Sequence, residues 1–146
     1  MVEGANELRG EVDIVLDGQR FVLRPSYTAI VALEKKAAKP LLELAALAEQ
    51  GLLTQEAQAI VTTELVRAWG RGLVVDEYST AEERAIATTA KGVNAEAMGE
   101  LLYSVGSMAV QPRLAMVLGM ALTGGCLPSG EAKPTETKTP EIPVGD

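Results

Sequence analysis

"VDIVLDGQRFVLRP", residues 12–25, holds two alternating strands, a turn and a stop. Its centre, Asp17-Gly18, suits a two-residue type I′ turn, which needs positive φ at both positions and therefore favours aspartate or asparagine followed by glycine. A turn placed there dictates the register. Leu16 meets Gln19, Ile14 meets Phe21 and Val12 meets Leu23 on one face, while Glu11 with Arg24 and Val15 with Arg20 fall on the other. The first face is apolar and the second mostly polar, so turn chemistry and alternation agree on a hairpin. Two strands alone are marginal in water, and the rest of the chain has to cover the apolar face.

That cover reads as helical. Arg24-Pro25 ends the second strand, because the residue before proline is pushed toward extended geometry, and Ser26 can cap a helix bearing Tyr27, Ile30, Leu33 and Ala37. Pro40 marks a second helix at its first turn, with the stripe Leu41, Leu44, Ala45 and Ala48 and a stop at Gly51. Thr54 caps a third, whose Ala57, Ile60, Val61, Leu65, Ala68 and Trp69 form the strongest amphipathic pattern, ended by Gly70 and Gly72. Thr80-Ala81-Glu82-Glu83 has the form of a capping box and opens a fourth helix to about Lys91. Asn94 caps a fifth with an apolar face of Met98, Leu101, Leu102, Val105, Met108 and Ala109, and Pro112 is expected to start a sixth that runs to Leu122. After Gly124-Gly125, the segment "CLPSGEAKPTETKTPEIPVGD" has too little hydrophobicity to bury and is expected to be a flexible tail. The expected class is α+β: an N-terminal hairpin on about six helices, one domain over residues 1–125, and a tail over 126–146.

Composition narrows the function. The 146 residues carry a net charge of -7, which opposes attraction to phosphate backbones, so no nucleic-acid partner is expected. Histidine is absent and Cys126 is the only cysteine, which removes His-dependent catalytic pairs, disulfides within the chain and the usual zinc ligand sets. No cofactor or metal is expected, and the protein is read as a non-enzyme. The N-terminus lacks the basic start and apolar run of a signal peptide, and Gln111-Pro112-Arg113 divides the apolar stretch 101–122 into pieces too short for a bilayer of roughly 30 Å. A cytoplasmic protein with no membrane partner follows as the expectation.

Several residues invite a chemical role and have a plainer one. Glu82 and Glu83 are adjacent on a helix and so point about 100° apart, and capping already accounts for Glu83. Trp69-Gly70-Arg71-Gly72 reads as a helix stop before it reads as a ligand loop, and Lys35, Lys36 and Lys39 suit the C-terminal end of a helix. Nothing near Cys126 lowers its pKa in an obvious way. Methionines 98, 108, 116 and 120 are different, because flexible thioethers recur where varied apolar partners are accepted. Met98, Leu101, Val105, Met108, Met116, Leu118 and Met120 are therefore the candidate partner-binding residues.

Residues 5–36, "ANELRGEVDIVLDGQRFVLRPSYTAIVALEKK", resemble the start of the gene transfer agent and phage tail assembly chaperone family. The likeness lies in Asn6, Arg9-Gly10-Glu11-Val12, the Asp17-Gly18 turn, Leu23-Arg24-Pro25 and Leu33-Glu34, with "AWGRGL" at 68–73 and the closing apolar helix as weaker landmarks. It implies a chaperone that binds the hydrophobic helices of a tape-measure protein and helps recruit tail-tube subunits. The hairpin would then either cap the core or offer a free edge for a homo-oligomer or a tail protein. The alternative class is a head-to-tail adaptor or tail completion protein retained in the particle, and particle proteomics separates the two.

Overall fold

The computed structural model describes residues 10–124. The hairpin comes first: strand β1 (Val12–Leu16) pairs antiparallel with β2 (Gln19–Leu23) in the register expected, with Ile14 opposite Phe21. Asp17 and Gly18 have φ of 55° and 80°, the left-handed conformation that the type I′ turn demands. Val12, Ile14, Phe21 and Leu23 are all buried, so the hairpin covers the helical core. Its other face is less polar than alternation suggests. Val22 is fully buried and Glu11 nearly so, because β2 also packs against a helix on that side.

Six helices follow among the described residues: α1 (Tyr27–Ala37), α2 (Leu41–Gln50), α3 (Gln55–Gly72), α4 (Ala81–Gly92), α5 (Ala95–Val105) and α6 (Ser107–Leu122). Except at α6, their starts are set by side chains satisfying otherwise unpaired N–H groups. The hydroxyls of Ser26 and Thr54 accept from Ala29 and Ala57, and the Asn94 carboxamide accepts from Ala97. Thr80 and Glu83 form the full capping box, each side chain accepting from the other's backbone N–H at 3.0 Å. Pro40 precedes α2 as its N-cap, one residue earlier than expected, and the Glu34 carboxylate reaches from α1 to accept from the Leu41 N–H at 2.7 Å.

The helix α3 is the axis of the fold, packed against α1, α4, α5, α6 and β2. It is more than amphipathic. Gln58, Thr62, Thr63 and Glu64 are buried along with its apolar residues, because small side chains such as Ala57, Ala59 and Ala68 let neighbours close in on several sides. The expected boundary between the last two helices is wrong. The chain breaks at Gly106, with φ of 102°, so α5 ends at Val105, Met108 and Ala109 belong to α6, and Pro112 lies inside α6. Glycine permits that backbone conformation at little cost. Proline forfeits one helical bond to the Met108 carbonyl, on a side of the helix where Met108 and Pro112 are both exposed.

Among the described residues, no single helix is long and apolar enough to cross a membrane; α5 and α6 together have the hydropathy, but they meet at a bend of 120°. Asn6, Arg9, Cys126 and the expected tail lie outside the described residues.

Candidate functional site

The sequence-derived candidates divide into two sets. Met98 and Leu118 are enclosed in the core, at 3% and 0% exposure, and Leu101, Val105 and Met120 are partly buried. Met108 is 91% exposed and Met116 54%. The seven residues therefore do not form one open face. What remains outward is a stripe on α6, in which Met108, Pro112 and Met116 recur every fourth residue while Val110, Leu114, Val117 and Leu118 face inward. Exposed singly, an apolar side chain means little; aligned along one helix, such side chains offer a partner a continuous edge.

A second surface was not anticipated. Between α3 and α5 runs an open groove of about 660 Å³, with Ala59 and Gly99 at its floor and Ile60 beside them. The two helices run antiparallel. Arg67, late in α3, donates to the Val93 carbonyl just before α5, while Gln55 and Gln58, early in α3, donate to the Ser107 hydroxyl just after it. A Cβ at Gly99 would lie 3.4 Å from that of Ala59, so the crossing is close because both residues are small. Three separate small residues, Ala59, Ala95 and Gly99, line this groove without sharing any recognisable sequence motif. Only the α3–α5 packing brings them together.

The α6 stripe is held in place by buried amides. Gln111 faces inward at 4% exposure, where its Oε1 accepts from the Leu53 N–H at 2.8 Å and its Nε2 donates to the Gly51 carbonyl at 3.2 Å. Gln58 completes the clasp by donating to the Leu53 carbonyl at 3.0 Å. In sequence, Gln111 interrupts an apolar stretch. Its role is to satisfy the backbone of the α2–α3 loop where that loop is buried against α6.

The other candidates have structural roles. Lys36 pairs with buried Glu64 at 2.6 Å, a carboxylate shared with Arg67 at 3.3 Å, and Lys39 lies 3.8 Å from Glu43. Glu83 belongs to the capping box, and Glu82 lines a small cleft of about 220 Å³ between the hairpin and α4. The helix α3 ends at Gly72 with Leu73 as its C-cap, so Gly70 lies inside the helix and is not the expected stop, and both glycines serve close packing. A Cβ at Gly70 would lie 2.7 Å from the Lys91 backbone nitrogen, and the space beside Gly72 is filled by the Arg24 guanidinium. Among the described residues, no group of three His, Cys, Asp or Glu could hold a metal ion.

No protein-family model, curated protein or solved structure matches this chain.

Proposed function

We propose that this chain is a non-enzymatic tail assembly chaperone of a phage or gene transfer agent, holding apolar helices of a tape-measure protein and helping to recruit tail-tube subunits. The observation that carries the reading is the outward stripe of α6. Met108, Pro112 and Met116 present apolar, adaptable surface at helical spacing, which suits the grip of a holder on helices of varied sequence. The buried Gln111 amide keeps that face in register with the core beneath it. The resemblance of residues 5–36 to the tail assembly chaperone family supports the same reading.

The test is co-expression with the long helical tape-measure candidate from the same gene cluster, scoring solubility of that partner and co-purification. The wild-type chain should rescue and retain it. Met108→Asp combined with Met116→Asp should lose both, with the circular dichroism spectrum unchanged because neither side chain is buried. Leu118→Asp is unsuitable as a probe of binding, since its site is fully buried and a charge there unfolds the chain. Failure to rescue a verified tape measure, or full rescue by the double variant, would reject this function or this placement respectively.

A further inference from the structure

The groove between α3 and α5 has walls of one sign. Glu56 stands on the α3 side, with Glu96 and Glu100 on the α5 side, one helical turn apart on the same face. Among the described residues, none of the three groove carboxylates takes part in an ion pair. Helix position accounts for two of them: Glu56 and Glu96 lie in the first turns of α3 and α5, where the macrodipole favours acids. It does not account for Glu100, in the middle of α5. The carboxylates are also too dispersed to act as one metal cage, since no group of three acidic or other ligating residues converges. Their spacing suits several cations distributed along a rod.

We propose that this groove receives an amphipathic helix of a partner protein, with small apolar residues along its contact stripe and lysine or arginine on both flanks. The floor carries only the small residues Ala59 and Gly99, which pack against each other where α3 and α5 cross, so no large side chain fills the groove from below. From Ala95 to Tyr103 the wall rises by about 12 Å, which accommodates about two helical turns. Tyr103, 75% exposed, lines one end of the groove, where an aromatic ring suits a cationic side chain. The net charge of -7 adds long-range attraction for such a partner. This assignment is independent of the tail-chaperone reading, which uses the outward stripe of α6.

The test uses the full chain and a fluorescent helical peptide of roughly 18 residues, with an alanine stripe and lysine flanks, beside the same peptide with glutamate flanks. Anisotropy titration should show the lysine peptide binding about tenfold or more tightly than the glutamate peptide, with the difference shrinking as salt is added. Glu96→Lys with Glu100→Lys should reverse that preference, while Glu49→Lys with Glu82→Lys, equal in charge but outside the groove, should preserve it. Equal binding of the two peptides, no binding of the lysine peptide, or equal loss in both double variants overturns the proposal. A groove-reversed chain that changes its sedimentation but not its peptide binding would mean that a second copy occupies the groove, which also overturns it. Continued rescue of a tape measure by the same variant leaves the chaperone reading standing, so the two can fail separately.

Discussion

Replacing Gly70 with alanine sets two magnitudes against each other. In an exposed helix interior the change gains up to about 1 kcal/mol, because alanine loses less backbone freedom on folding. At Gly70 the new methyl would lie 2.7 Å from the Lys91 nitrogen, 2.8 Å from the Ala90 Cβ and 2.9 Å from the Ala90 carbonyl carbon. Two of these are backbone atoms, so no side-chain rotation relieves the contact. Carbon atoms pack at about 3.5 Å or more, which requires α4 to retreat by roughly 0.7 Å. That retreat disturbs Ala87 and Ala90, each 1% exposed, and overpacking of this kind costs about 1–3 kcal/mol. The helix gain is reduced this near the end of α3, so the net expectation is a loss of about 1–2 kcal/mol. Urea unfolding followed by the fluorescence of Trp69, the one tryptophan, measures it at the adjacent residue. Gly119→Ala, inside α6 with nothing within 4 Å of the added methyl, is the matched control and should stabilise the chain. If Gly70→Ala proves as stable as wild type, or moves in the same direction as Gly119→Ala, the close approach of α3 and α4 is refuted.

Gln111→Ala should cost about 2–4 kcal/mol, because it strands the buried Leu53 N–H and leaves a cavity; exchange of that amide should accelerate along with the shift in unfolding midpoint. Thr62→Val should stabilise by about 1 kcal/mol, since its hydroxyl is buried without a hydrogen-bond partner and valine keeps the shape; a lower thermal midpoint would contradict this. Thr80→Ala should cost about 1 kcal/mol by removing one half of the capping box, and Thr80→Ser should recover most of it in the same thermal assay.

The features legible in the chain are local. The turn at Asp17-Gly18, the strand register and the caps at Ser26, Thr54, Thr80 and Asn94 could be read because each rests on a few neighbouring residues whose chemistry permits one geometry. Pro112 is a strong local signal and points to a break there, whereas the break before α6 falls at Gly106, which takes a positive φ that nothing beside it announces. The roles of Gln111, Gly70 and Gly72 belong only to the tertiary structure, since their partners lie in other elements, as far off as Gly51, Ala90 and Arg24. The same holds for the candidate surfaces. Periodicity placed Met108 and Leu118 together on apolar helices, and only packing decided that Leu118 is core while Met108 faces outward. The acidic groove exists because α3 and α5 run antiparallel in close contact, a juxtaposition of residues some forty positions apart that no single helix encodes.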